Sequence, residues 1–185
     1  MTRALTRKGL DIIAAFEALP YPTVALIDGA CMGGGLELAL GCDFRLAGTH
    51  PKTEIGLPET KIGLFPGWGG TQRLARATTL AFAKELAFTG RAVGAEEALA
   101  RGLVNAIHEP AELLPKALEL AESLAGKGPL ALAYAKEATN LALQGEHTAN
   151  LETEARLFAM LFATEDQAEG MTAFGEKRPP RFTGR

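Results

Sequence analysis

Apolar and polar positions along the chain predict helices at both ends, with short strands among the helices of the first part. Residues 3–19 carry apolar side chains at helical spacing, and Pro20 and Pro22 end that segment. Short apolar runs predict strands at 23–27, 43–47, 52–56 and 103–108. Further helices are predicted at 36–42, 71–77, 80–88 and 95–101. Residues 57–70 are rich in turn formers, which favours a functional loop.

The pattern changes after residue 108, where only helical spacing remains. Helices are predicted at 112–125, 130–143, 151–162 and 165–174. We therefore predict an α/β part over 1–108, followed by a helical part over 109–185. Three or four short strands form a thin sheet for a chain that is 47% hydrophobic. Either the core is incomplete or other chains complete it.

The strand-to-helix junction at Gly33, Gly34 and Gly35 is the first place to look for chemistry. Glycines allow close approach of the backbone, and the first N–H groups of a helix have no partner within it. Together with the helix dipole they favour a developing negative charge. Glu37 follows among apolar neighbours, where a buried carboxylate is costly without a partner or a task.

Glu37 and Glu59 are the best candidates for catalytic groups. Two carboxylates at one site can divide the acid and base roles, because burial and mutual repulsion separate their pKa values. The alternative is that Glu59 is a solvated loop residue and that Glu37 is a helix N-terminal charge favoured by the dipole.

Composition excludes several classes of function. The net charge is −3 and no basic stripe is present, which argues against nucleic acid or a polybasic membrane contact. No apolar run approaches the ~20 residues that cross a bilayer. The basic start of the chain has no adjoining apolar segment, so we expect no secretory signal. The two cysteines favour free thiols in a reducing compartment, and we expect a cytoplasmic protein.

Other catalytic chemistries lack their motifs. The three histidines are scattered, so no metal site is expected. Ser123, the only serine, has no nucleophile elbow around it. Neither glycine cluster fits a phosphate loop or a dinucleotide fingerprint. Trp68, the only tryptophan, is interpreted either as a pocket wall or as core packing.

Two long motifs resemble the enoyl-CoA hydratase/isomerase (crotonase) family. One runs from Pro22 to Asp43 and contains the three glycines and Glu37; the other runs from Ile55 to Leu74 and contains Pro58-Glu59 and the Gly-Trp-Gly-Gly segment. Residues 89–104 are similar too, and the likeness covers nearly the whole chain. Within the family, the sequence most resembles the hydratase part of multifunctional fatty-acid oxidation proteins.

The resemblance implies a crotonase-like ββα spiral with C-terminal helices that assemble trimers or hexamers. It implies a hydratase that adds water to a 2-enoyl-CoA thioester in β-oxidation, with the CoA thioester as substrate and no cofactor. Glu37 and Glu59 match the catalytic glutamates, and Gly34 matches the glycine whose N–H forms half of the oxyanion hole. Residues that would contact the substrate are Gly33, Pro58, Gly67, Trp68, Phe174 and Lys177. The last two match positions that touch CoA bound to a neighbouring subunit.

The family's N-terminal part has no counterpart in this sequence. It holds the first strands, the segment that gives the second oxyanion N–H, and much of the CoA pocket. We therefore expect an N-terminally truncated spiral with a half-built oxyanion hole. Two alternatives stay open: a Δ3-Δ2-enoyl-CoA isomerase or other crotonase, and a non-catalytic assembly subunit. Isomerases commonly keep only the carboxylate that matches Glu59, so the presence of Glu37 favours hydration.

Overall fold

The computed structural model describes residues 2–142 and 144–185, which form two compact units. The first unit comprises the residues up to Ala18 together with Thr23–Leu118. The second comprises Leu19–Pro22 and Glu119–Arg185.

The first unit mixes short strands with helices. Its strands are β1 (Val24–Ile27), β2 (Ala30–Met32), β3 (Phe44–Gly48), β4 (Glu54–Gly56), β5 (Ala92–Val93) and β6 (Ala106–His108). Its helices are α1 (Thr2–Glu17), α2 (Gly34–Leu40), α3 (Gly70–Ala77), α4 (Leu80–Thr89) and α5 (Ala95–Ala100), with a 3-10 helix at Glu59–Ile62. Helix α6 (Pro110–Ala125) runs across the boundary between the units.

The strands form two three-stranded sheets rather than one thin sheet. The first has the order β1-β3-β6 with parallel pairing throughout. The second has the order β2-β4-β5, in which β2 and β4 are parallel and β5 is antiparallel to β4. Strands β2 and β5 were not predicted, because runs of three and two residues are too short to show a period-2 pattern. The predicted strand at 103–108 begins only at Ala106, since Leu103 and Val104 are buried in the preceding turn.

One hydrophobic core lies against both sheets. It joins Leu36 and Leu40 of α2, Ile55 of β4, and Leu74 of α3, together with side chains from β1, β3, α4 and α5. The buried guanidinium of Arg45, on β3, binds carbonyl groups beyond the C-terminal end of α2. Its Nη1 donates to the carbonyl of Cys42 at 2.8 Å, and its Nε donates to Leu103 O at 2.8 Å. Buried polar groups need such partners, and these bonds join β3 to the residues after α2 and to the segment before β6.

The second unit contains α7 (Pro129–Leu141), α8 (His147–Leu161) and α9 (Glu165–Glu176). Helix α8 begins four residues before its predicted start, because the carboxylate of Glu146 caps it by accepting the N–H groups of Thr148 and Ala149. The predicted end of the preceding helix, Leu143, lies outside the described residues. After α9 the C-terminal tail (178–185) returns along that helix, and buried Asp166 accepts the N–H groups of Thr183 and Gly184.

No helix in the described part of the chain is both long and apolar enough to cross a membrane.

Candidate active site

The parallel pairing of β2 with β4 brings the two predicted motifs to one edge. Met32 of β2 pairs with Gly56 of β4, and the next residue, Gly33, donates its N–H to Gly56 O at 2.9 Å. Helix α2 begins directly after β2, and the 3-10 helix with Glu59 begins three residues after β4. The carboxyl ends of parallel strands open on the same edge of a sheet, so both glutamates project from this edge.

Glu37 lies on the first turn of α2 and is buried, with only 2% of its surface exposed. Its Oε1 accepts the backbone N–H of Trp68 at 2.7 Å and that of Gly70 at 2.8 Å. Gly70 is the first residue of α3, so the carboxylate also lies at the positive end of that helix. Oε1 is the acceptor in both bonds, which suits an ionised carboxylate held in one orientation.

Glu59 differs from Glu37 in its partners. Its Oε2 is buried and has no hydrogen-bond partner in the part of the chain that the structure describes. Burial raises the pKa of Glu59, and the negative charge of Glu37 raises it further, while a bond from the backbone N–H of Glu59 acts in the opposite direction. The two carboxylates therefore differ in chemical character, one fixed by donors and the other partly desolvated.

Two glycines, Gly33 and Gly70, leave the space that these carboxylates occupy. Gly33 has a φ of 55°, and a Cβ on it would lie 2.9 Å from Glu59 Oε1. A Cβ on Gly70 would lie 2.9 Å from Cγ of Glu37. Real Cβ atoms do not approach so closely, so a side chain at either position would displace the carboxylate, and the positive φ of Gly33 also favours glycine. Gly67 differs, because a Cβ there would have its nearest neighbour at 3.9 Å.

Trp68 packs inside the first unit, as the second of its two interpretations predicts. Its indole packs against Gly34 at the start of α2 and against Gly9 of α1, which is buried. A Cβ on Gly9 would overlap the ring. The side chain is thus packed between two helices, and the backbone N–H of the same residue binds Glu37.

Neither the residue patterns nor the family resemblance assigned a role to four residues around this site: Gly9, Glu17, Gly70 and Arg73. Arg73 of α3 donates to the Trp68 carbonyl and forms two bonds with the carboxylate of Glu17 on α1. A charged residue on a predicted amphipathic helix is expected to face solvent. The one sequence signal for Arg73 is its position three residues after Gly69-Gly70.

The remaining predicted substrate contacts divide between the two units. Pro58 precedes the 3-10 helix and lies next to Glu59. Phe174 and Lys177 belong to the second unit, at the end of α9. Phe174 is 83% exposed, and Lys177 ends the helix in the left-handed conformation with a φ of 55°. Among residues 2–142 and 144–185, no three His, Cys, Asp or Glu side chains are grouped so as to hold a metal ion.

The sequence model of the enoyl-CoA hydratase/isomerase family matches residues 3–185. The chain belongs to this family. Its crystallographic relatives confirm the crotonase-like fold: an enoyl-CoA hydratase from Bacillus anthracis superposes with a TM-score of 0.92 at 38% identity, covering 100% of this chain and 70% of that one.

Two relatives in the family carry more specific names. A crotonyl-CoA hydratase of Syntrophomonas wolfei is 42% identical over 94% of this chain and 66% of its own length. A mitochondrial methylglutaconyl-CoA hydratase of Rattus norvegicus is 45% identical over 94% of this chain and 56% of its own length. The chain thus spans between about half and two thirds of the length of these relatives.

Proposed function

We propose that this family member hydrates the C=C bond of a 2-enoyl-CoA thioester in fatty-acid β-oxidation. The observation that carries the proposal is the unequal pair of carboxylates. Glu37 is held by two N–H donors, whereas Glu59 has a raised pKa and a buried oxygen without a hydrogen-bond partner among the described residues. Relatives named for hydration of crotonyl-CoA and methylglutaconyl-CoA support the same class of substrate.

The proposed roles follow from that difference. Ionised Glu37 accepts a proton from a water molecule, whose oxygen then bonds to the β-carbon of the enoyl group. The C=C electron pair moves toward the thioester carbonyl and gives an enolate-like state. Glu59 in its protonated form, which the raised pKa favours, delivers a proton to the α-carbon. Each carboxylate would contribute about 10²–10⁴-fold to the rate as a general acid or base.

The start of α2 would stabilise the negative charge on the thioester oxygen. Gly34 is the first residue of α2, and the first N–H groups of a helix have no partner within that helix. One such donor aimed at a developing oxyanion is commonly worth about 3 kcal/mol. No cofactor enters the proposal, because water and two carboxyl groups supply every atom and proton that moves.

Substrate contacts and assembly are part of the same proposal. Gly33, Pro58, Gly67 and Trp68 would surround the acyl group in the first unit. Phe174 and Lys177 would contact CoA bound to a neighbouring subunit of a homotrimer or hexamer, and the 83% exposure of Phe174 supports a partner there. The 109–185 part is proposed as the assembly region, and the cytoplasm as the location.

The choice between hydration and isomerisation is tested with two substrates. Moving a double bond needs only one carboxylate to carry a proton, and Glu59 alone could do that. The purified chain is given crotonyl-CoA and, separately, a 3-enoyl-CoA. We expect the conjugated absorbance of crotonyl-CoA to disappear as 3-hydroxybutanoyl-CoA forms. Faster formation of a conjugated product from the 3-enoyl-CoA would support the isomerase instead. A stable oligomer that turns over neither substrate would support the assembly subunit.

A further inference from the structure

Arg73 contacts the segment that holds Glu37 without contacting Glu37 itself in any described hydrogen bond. Its side chain is only 12% exposed. Its Nη1 donates to the Trp68 carbonyl at 2.7 Å. Its Nε and Nη2 donate to the two carboxylate oxygens of Glu17, each at 2.7 Å. This two-pronged pairing is the strongest geometry that arginine and a carboxylate form.

The Trp68 carbonyl lies between the two donors that bind Glu37. The N–H of Trp68 precedes it in the chain and the N–H of Gly70 follows it, and both donate to Glu37 Oε1. Gly69 between them has a φ of 101°, and a Cβ on it would overlap the Arg73 guanidinium. The guanidinium thus packs against Gly69 and bonds to the carbonyl between the two donors of Glu37.

Helix α1 is the anchor for this restraint. Glu17 is the last residue of α1, and Gly9, about two helical turns earlier, packs against the Trp68 indole. The turn at 68–70 is therefore held to α1 through both the Trp68 ring and the Arg73 guanidinium. Each restraint reduces the motion of the two N–H groups that orient the carboxylate.

We propose that Arg73, anchored by Glu17, is a positioning residue for Glu37: it fixes the 68–70 turn so that both N–H groups stay aimed at Oε1. The inference rests on the proposed role of Glu37 as the base that activates water. Small misplacement of a catalytic group has a large kinetic cost, because a shift of about 1 Å can reduce the rate about 10²-fold.

Arg91 provides a matched control elsewhere in the same unit. It also forms a two-pronged pair, with Glu97, and a further bond with Glu85. None of these partners belongs to the 68–70 turn. Arg91→Gln therefore removes an arginine ion pair of the same kind without touching the proposed restraint.

The experiment compares Arg73→Gln, Arg73→Lys and Glu17→Gln with Arg91→Gln and the parent chain. Two readouts are measured: hydrogen exchange of the Trp68 and Gly70 amides, and kcat and KM for crotonyl-CoA. We expect Arg73→Gln to speed exchange of both amides about tenfold or more, since local opening sets the exchange rate. We expect kcat to fall about 10–100-fold with KM within about threefold, because positioning acts on the chemical step. Arg73→Lys, which keeps one donor for the Trp68 carbonyl, should recover part of both losses.

The outcomes separate this inference from the proposed function. Unchanged exchange at Trp68 and Gly70 in Arg73→Gln would overturn the inference, and so would an equal effect of Arg91→Gln. If Arg73→Gln does not fold, the test is hydrogen exchange of the Trp68 and Gly70 amides in Glu17→Gln, where unchanged exchange would likewise overturn the inference. A parent chain that exchanges as expected but has no turnover would contradict the proposed function alone, because the exchange readout needs no substrate.

Discussion

The indole of Trp68 fills the space beside Gly34, where a Cβ would lie 2.8 Å from Cζ3 of the ring. The same residue donates its backbone N–H to Glu37 Oε1. One residue therefore contacts both the start of α2, where the thioester oxygen is proposed to bind, and the carboxylate proposed to activate water. Glycine at position 34 is the condition for this packing.

Gly34→Ala tests that packing directly. The added methyl group has to displace the Trp68 ring, and overpacking of this kind typically costs about 1–3 kcal/mol of unfolding free energy. We expect hydration to fall with it, since displacement of Trp68 also disturbs the N–H bound to Glu37. Urea denaturation and turnover of crotonyl-CoA measure the two effects.

Gly35→Ala is the matched control for Gly34→Ala. A Cβ on Gly35 has no neighbour within 4 Å, and the residue lies inside α2. Alanine in a helix is favoured over glycine by about 0.8–1.0 kcal/mol, so this variant should be at least as stable as the parent. Equal destabilisation by the two substitutions would contradict the role assigned to Trp68.

Glu59→Gln should stabilise the protein at neutral pH while removing activity. The pKa of Glu59 is raised in the folded state by burial and by the charge of Glu37. Its contribution to stability is therefore fully present below the ordinary value of 4.5 and is lost as the pH rises through the folded pKa. Glutamine does not ionise, so the free energy of unfolding of the variant does not fall in this way as the pH rises.

Thermal unfolding at a series of pH values checks this prediction. The difference in melting temperature between Glu59→Gln and the parent should grow as the pH rises above 4.5. A difference that is constant with pH would show that ionisation of Glu59 carries no folding cost.

Glu169 makes attachment of the C-terminal tail sensitive to acid. Its carboxylate accepts two bonds from the Arg178 guanidinium and one from the Arg181 N–H, which lower its pKa from 4.5 to about 2. A lowered pKa gives stability that is present above 4.5 and is lost as the pH falls through about 2. We expect the tail to loosen within that range.

Hydrogen exchange of the Arg181 amide follows this loosening. After correction for the intrinsic exchange rate, protection should be constant above pH 4.5 and should fall toward pH 2. Glu169→Gln, which has no charge to lose, should show weaker protection at pH 6 and no such step. An equal fall in protection of the Arg181 amide in the variant would show that another group titrates in this range.

Much of the fold could be predicted because its longer elements have clear periodicity. Strands β1 and β3 and the helices of both units follow from apolar spacing and from prolines and glycines at their ends. Helix α2 begins at Gly34, two residues before its predicted start, because Glu37 N–H already bonds to Gly33 O despite the low helix propensity of glycine.

The meeting of Glu37 and Glu59 could not be derived from residue patterns. It depends on the pairing of β2 with β4, and β2 has only three residues, Ala30–Met32. Residue context and the family resemblance each named both glutamates as candidates, but neither predicts that pairing. The bonds from Trp68 and Gly70 to Glu37 join residues more than thirty positions apart, and local spacing carries no information about such contacts.

Hydration of crotonyl-CoA by the parent chain, Glu37→Gln and Glu59→Gln is the most direct test of the two-carboxylate site. The loss of conjugated-enoyl absorbance is followed for the three purified proteins, each first shown to be folded by its circular dichroism. We expect turnover by the parent chain and a fall of about 10²–10⁴-fold in kcat for each variant. Full turnover by Glu37→Gln, or no turnover by a folded parent chain, would contradict the hydratase assignment.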